Sequence, residues 1–381
     1  MNSFIESHTI LESEKRVAPL GLLLTEGARG LGEKINAYLV DWAESRGQHC
    51  DTFIVESECP RFASGDGKGL IKETIRGMDL FIIVDVGNYS CRYKLFGKEN
   101  SMSPDDHFQD LKRLIQAASG KAYRINVIMP ILYGGRQHNR NYRESLDCAC
   151  ALQELKNMGV ANILTFDAHD ARVQNAVPLM GLDNIIPYYQ VLKTLFRCIP
   201  DIDINKDNFM LISPDEGAMS RNMYYSSVLG VDLGMFYKRR NYSQIVNGRN
   251  PIVAHEYLGA PVDGKTVFIT DDIIASGESM MDIAYELKRK NAKKIYCYGT
   301  YAVFTHGFDK FDKAYDEGVI SGVLGTNLTY CPEVLHGREW YHQVDVSKYI
   351  SYFVDSMNHD VSVNSIIDPH EKIKHLMENR F

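Results

Sequence analysis

The chain has 381 residues, 45% hydrophobic and 24% charged, with a formal net charge of −7. That length suits two domains that each bury a core, and the acidic balance speaks against general affinity for nucleic acid. No apolar run reaches the length of a membrane span, the start MNSFIESHTILESEKR lacks a signal-peptide pattern, and eight scattered cysteines without a CxxC pair read as reduced thiols of a cytoplasmic protein.

Apolar runs alternate with amphipathic stretches from end to end. PLGLLLT (19–25) reads as a buried strand, followed by a helix with Leu31, Ile35, Tyr38, Leu39 and Trp42 near the 3.6 period. DTFIVES and LFIIVDV read as further strands, and GNYSCRYKLFGKENSMSPDD (87–106) as a long polar surface loop inserted after them. A helix in 105–118 carries Phe108, Leu111, Leu114 and Ile115 on one face. INVIMPIL, a helix at 145–158 and ILTFDAHD continue the rhythm. A second series follows with FMLISPD, GMFYKRR, VFITDD, KIYCYGTYAVF and GVLGTN, broken by a polar stretch at 239–264. This alternation predicts an α/β fold of two tandem domains, each a mainly parallel sheet flanked by helices. The expected domains are 1–178 and 179–345, with the helical tail 346–381 packing back on either of them, the first being the one named for it.

In open parallel sheets ligands bind beyond the carboxyl ends of the strands. Those ends are DAHD (167–170), SPDEG (213–217), YKRR (237–240) and, above all, FITDDIIASGES (268–279). There a strand is expected to end in Asp271 and Asp272, two acceptors for vicinal ribose hydroxyls. Ala275, Ser276, Gly277, Glu278 and Ser279 then form a tight loop whose N–H groups face a phosphate, aided by the positive end of the next helix. The plainer reading is a surface turn with Ser279 as an ordinary helix cap. Met280, Ile283, Ala284 and Leu287 give that helix its buried face.

This ordered stretch resembles the 5-phosphoribosyl-1-diphosphate motif of type I phosphoribosyltransferases and their relatives. The motif alone leaves open whether the activated sugar is made or consumed. The remaining segments resemble the ribose-phosphate diphosphokinases, in matching order over roughly residues 17–366: RFASGDGKGLIKETIRG, INVIMPILYGGRQHNRNYRES, ILTFDAHDARVQNAVP, SPDEG, YKRR and GVLGTN.

The resemblance implies transfer of the diphosphoryl group of ATP to the 1-hydroxyl of ribose 5-phosphate. Such chemistry needs charge neutralised along an in-line path more than a covalent nucleophile. It implies that Lys238 and Arg240 supply that charge from a loop closing on the triphosphate, although YKRR alone reads as a solvated basic turn. His169 and Asp215 are implied at Mg2+, an ion that keeps several waters; a hydrogen-bonded histidine and a helix N-cap are their ordinary readings. Arg136 and Gln137 are implied for ATP, with Phe62 stacking on adenine and Ser64 and Asp66 beside it. A buried core ring is the alternative for Phe62. Because the family takes this segment from a neighbouring subunit, a homo-oligomer, a dimer or a hexamer, is implied.

Several positions depart from the family pattern. Ala275-Ser276 stands for Asp-Thr, Gly277 comes one place early, Asp66 replaces a glutamate and His138 an aspartate. The loop looks more like that of base-using phosphoribosyltransferases, so two other readings stay beside the diphosphokinase: a phosphoribosyltransferase acting on a base, and a non-catalytic regulatory relative.

Overall fold

The computed structural model describes residues 15–140, 142–240 and 252–378; the side chains of 238–240 and 252–255 lie outside that description. The chain divides into two compact units. One comprises 1–187, 327–330 and 345–369, the other 188–326, 331–344 and 370–381.

In the first unit, besides a short antiparallel pair (Ser57–Glu58 with Leu70–Ile71), the strands are β1 (Leu20–Leu24), β2 (Asp79–Ile83), β3 (Arg92–Leu95), β4 (Lys98–Ser101), β5 (Arg124–Ile128), β6 (Asn162–Phe166) and β7 (Gly181–Ile185). The main sheet runs β1-β2-β5-β6-β7, all parallel. Beyond β1, Leu22 also bridges in parallel to Ile54. The chain thus steps outward from β1 and then returns to β2 on its other side, as in a doubly wound sheet. Alternate residues face opposite ways. Leu23, Leu80, Ile82 and Val127 pack against Phe108, Leu111, Leu114 and Ile115. Helices α1 (Arg29–Ser45), α2 (Pro104–Ala118) and α3 (Asp147–Asn157) follow the expected periodicity.

The stretch 87–106 is not the loop expected of it. Its centre is the antiparallel hairpin β3–β4. Its end caps α2: Ser103 Oγ accepts from the Asp106 amide at 3.2 Å, Asp106 answers the Ser103 amide at 2.9 Å, and Pro104 opens the helix.

The second unit opens with α4 (Tyr188–Cys198). Its sheet contains β8 (Phe209–Ser213), β9 (Asp232–Arg240), β10 (Ile252–Leu258), β11 (Thr266–Ile274), β12 (Lys294–Ala302), β13 (Gly322–Thr326) and β14 (Tyr341–Val344). The order is β10-β9-β8-β11-β12-β13-β14, with β10 antiparallel at the edge. Three helices matter here: α5 (Met219–Leu229), α6 (Glu278–Arg289) and α7 (Asp309–Asp316). Met280, Ile283, Ala284 and Leu287 of α6 join Met210, Ile212, Val267 and Ile269 of the sheet in one buried cluster. From β8 the chain goes to β9 on one side and comes back to β11 on the other. The crevice at this reversal is where such sheets bind ligands.

The tail is shared. Helix α8 (Ser347–Asn358) belongs to the first unit, where Tyr352 stacks on Trp42 at 4.7 Å and Asp355 pairs with Arg46 at 2.7 Å. Buried Asp79 anchors its end, accepting from Arg124 at 2.7 and 2.8 Å and from Asn358 at 3.0 Å. Helix α9 (His370–Glu378) belongs to the second unit and packs against α4. Among the described residues no helix is long and apolar enough to cross a membrane.

Candidate active site

In the second unit the switch point carries the acids. Strand β11 does not stop at them as expected but runs on to Ile274. Asp271 faces Gly299 and Ile273 faces Tyr301 in the register with β12. Asp272 is buried, and its amide donates to Asp271 Oδ1 at 2.9 Å. Burial, and next the neighbouring Asp272 carboxylate, push the Asp271 carboxyl well above its ordinary range; Arg221, 3.9 Å away, opposes this. A carboxyl pair held in this way favours ligands that bring hydrogen-bond donors or positive charge. A vicinal diol or a divalent cation meets that demand.

The loop after β11 is pinned by its own backbone. Val303 and Thr305 donate to the carbonyls of Ile274 and Ala275, each at 2.9 Å. Helix α6 then begins at Glu278, and its cap is Gly277 in the left-handed region at φ 76°, not Ser279. Any Cβ at Gly277 would run into the Phe311 ring. The glycine therefore stands where both φ and space demand it. Ser276 Oγ lies 3.4 Å from the Glu278 amide, Lys310 is 3.3 Å from the Glu278 carboxylate, and the open N–H groups of the first helical turn follow.

Two neighbours escaped the sequence reading. Asn222 of α5, fully buried, accepts from Thr270 Oγ1 at 2.8 Å and donates to the Thr270 carbonyl at 3.1 Å, one residue before Asp271. Arg221, also buried, turns toward Asp271. The only signal was an Arg-Asn pair on a helix face that should be apolar. At the end of β8, Asp215 Oδ1 accepts from the Ala218 amide at 3.3 Å, and Ser213 Oγ bonds the Asp215 carbonyl at 2.8 Å. Lys238 and Arg240 lie in β9, with Lys238 opposite His255. Their side chains, and the residues 241–251 after them, lie outside the described residues.

In the first unit the corresponding groups gather at the ends of β5 and β6. Asp167, buried, takes φ 40° as the chain leaves β6, and Asn184 Oδ1 accepts from the Ala168 amide at 2.9 Å. His169 is exposed, its ring 5.4 Å from that of His138. His138 in turn lies 3.3 Å from Asp170. Hydrogen bonds from Arg172 lead in holding the Asp170 carboxyl down at about 2. Arg136 is exposed and pairs with no carboxylate among the described residues. The Gln137 amide is occupied locally, donating to the carbonyls of Asn139 and Ser145 at 3.1 and 2.8 Å, which leaves its Oε1 for other partners.

Phe62 is no core ring, since it is 56% exposed. It rides on a turn closed by Phe62 N to the Asp66 carbonyl at 2.7 Å and by Ser64 Oγ to Asp66 Oδ2 at 2.8 Å. Arg61 anchors the turn through a two-point pair with Asp110 at 2.6 and 2.9 Å. Among the described residues no cluster of three or more His, Cys, Asp or Glu forms a dedicated metal cage. The residues at hand fit Mg2+ in its usual manner, with few protein ligands, phosphate oxygens and water.

A family model described as the N-terminal domain of ribose phosphate pyrophosphokinase matches residues 20–159, and one described as the phosphoribosyl transferase domain matches residues 187–321. The chain belongs to the ribose-phosphate pyrophosphokinase family. A relative named ribose-phosphate pyrophosphokinase from Ralstonia nicotianae is 26% identical over 288 residues, 74% of this chain and 82% of that one. The protein of that name from Chlorobaculum tepidum is 24% identical over 89% of this chain and 96% of its own. Among solved structures, the phosphoribosylpyrophosphate synthetase of Mycobacterium smegmatis superposes with a TM-score of 0.70 at 19% identity, covering 90% of this chain and 99% of that one. The α/β fold of parallel sheets flanked by helices, expected from the alternation of strands and helices, is thus present.

Proposed function

We propose that this protein transfers the β,γ-diphosphoryl group of ATP to the 1-hydroxyl of ribose 5-phosphate, forming 5-phosphoribosyl 1-diphosphate and AMP. One observation carries the reading. A single chain bears, in order, a nucleotide-side pyrophosphokinase half and a phosphoribosyl half whose carboxylate pair sits at the sheet's reversal. A transferase acting on a base has no use for the first half.

In the reaction the sugar's O1 attacks the β-phosphorus and forms the new O–P bond. The bond from that phosphorus to the bridging oxygen of AMP breaks, and the hydroxyl proton goes to solvent. Asp271 and Asp272 accept from the ribose diol, and the loop Ala275–Ser279 receives the 5-phosphate on its amides and hydroxyls. Phe62, Ser64, Asp66, Arg136 and Gln137 hold ATP. Lys238 and Arg240 neutralise charge on the transferring group. His169 in the first unit and Asp215 in the second are each candidate ligands for Mg2+, which would offset the phosphate charge when bound. The protein works in the cytoplasm as a homo-oligomer, a dimer or a hexamer.

Phosphorus NMR of the purified protein with ATP, Mg2+ and ribose 5-phosphate tests this reading. The expected result is AMP together with a new diphosphate ester on the sugar, only when all three are present. Unchanged ATP in a folded sample overturns it. Pyrophosphate release from the activated sugar and a base would then favour the transferase.

A further inference from the structure

The hairpin β3–β4 reverses through only two residues, Phe96 and Gly97, at φ 48° and 75°. Two positive φ angles in a two-residue connection define the I′ type of turn, whose first position favours Asn, Asp or Gly. A phenylalanine there carries the steric strain of its Cβ. Among the described residues nothing offsets that strain by burial, and Phe96 is 79% exposed. A strained, solvent-facing aromatic of this kind points to a contact made outside the chain.

The hairpin tip is fixed against one element, the turn that presents Phe62. The Phe96 amide donates to the Ala63 carbonyl at 3.2 Å, and the Arg61 guanidinium lies over the Tyr93 ring at 5.3 Å. Leu95 fills the space above Gly65, where a Cβ would meet its Cδ1 at 2.5 Å. Two exposed phenylalanines are therefore neighbours of Ala63, Phe62 in sequence and Phe96 through its amide, with Lys68 Nζ 6.0 Å from the Phe62 ring centroid and the Ser64 hydroxyl bonded to the Asp66 carboxylate. This is the chemistry of a flat ligand with apolar faces and a polar edge. A purine base fits, its faces toward the rings and its exocyclic amine toward a carboxylate. A second copy of the chain fits less well. The surrounding Arg92, Lys94, Lys98 and Glu99 are exposed charges, and two rings offer little of the roughly 800 Å² per partner that a stable interface buries.

We propose that Phe96 is a base-contacting residue, the second of two aromatic side chains that hold the purine of the nucleotide. The inference rests on the assignment of ATP to the first unit and gives the inserted hairpin a role in it. The variants are Phe96→Asn, which suits the turn, and Phe96→Tyr, which keeps a stacking ring. The readouts are calorimetric ATP binding, KM for each substrate, thermal melting and sedimentation.

Phe96→Asn is expected to melt at the same temperature or higher. Its Kd and KM for ATP should rise about tenfold, the KM for ribose 5-phosphate should stay in place, and Phe96→Tyr should restore ATP binding. Unchanged ATP binding in Phe96→Asn overturns the proposal. If that result comes with a smaller assembly, the ring belongs to a subunit contact instead. A wild-type protein that does not bind ATP overturns it too. Wild-type protein that binds ATP in a Phe96-dependent way yet forms no AMP sinks the proposed reaction and leaves this contact standing.

Discussion

Asn222 and Thr270 are joined twice. The threonine hydroxyl donates to Asn222 Oδ1 at 2.8 Å, and Asn222 Nδ2 returns a bond to the Thr270 backbone carbonyl at 3.1 Å. Both residues are fully buried. This clasp fixes the backbone immediately before the carboxylate pair. Replacing Asn222 with Leu strands the Thr270 hydroxyl and carbonyl, at a cost of about 1–3 kcal/mol in urea unfolding. The same variant is expected to raise KM for ribose 5-phosphate more than KM for ATP. Equal changes in both would show a general loss of packing.

Gly277→Ala puts a Cβ into the Phe311 ring on a backbone at φ 76°. The left-handed conformation alone costs about 1 kcal/mol, and the clash adds to it. Lower stability and weaker ribose 5-phosphate binding are expected together. A variant that melts and binds like the wild type would remove this glycine from the account of the phosphate loop.

Lys238→Ala tests the charge assigned to β9. Losing a cation that acts on the transferring group should lower kcat at least about 100-fold, with a smaller effect on either KM. Near-normal turnover would show that the charge comes from elsewhere.

Asp85 gives a prediction about pH. It is fully buried in the first unit and accepts from the Gly87 amide at 2.9 Å, the Thr329 hydroxyl at 3.0 Å and the Tyr330 amide at 2.9 Å. Burial outweighs these donors and pushes its carboxyl up to about 7. A folded-state value raised above the unfolded one means that the group favours folding while protonated. Its contribution is full below about pH 4 and lost as pH rises through about 7, up to about 4 kcal/mol in all. Asp85→Asn should flatten this slope. Parallel melting curves for wild type and variant between pH 4 and 7 would show that Asp85 ionises freely.

The sheets, the helix faces and the carboxylate pair were legible in the sequence because each is a local pattern. The stretches 20–24 and 80–83 are continuous apolar runs, and α6 shows its buried stripe directly. What escaped depends on partners far along the chain. Strand β11 passes Asp271 and Asp272 because Ile273 and Ile274 pair with Tyr301 and Ala302 of β12. The hairpin β3–β4 was hidden because RYKL alternates over only four residues and its partner KENS is polar throughout, with no apolar face to mark a half-buried strand. Gly277 displaced Ser279 as the cap because Phe311, on another helix, closes the space above it. Asn222 and Arg221 show in the sequence only as a polar pair on a helix face that should be apolar, and their partners Thr270 and Asp271 lie about 50 residues further on.

The sharing of the tail has a consequence for how the molecule is made. Asp79 receives its bond from Asn358 across 279 residues, and Trp42 receives the Tyr352 ring through the same helix. A chain emerging from the ribosome must therefore deliver nearly all of the second unit before the first can be finished. Until then one face of α1 stands open, and the Asp79 carboxylate, already met by Arg124 and Asn126, still lacks the bond from Asn358. The first unit begins early and closes late, so its maturation is timed by the synthesis of its neighbour.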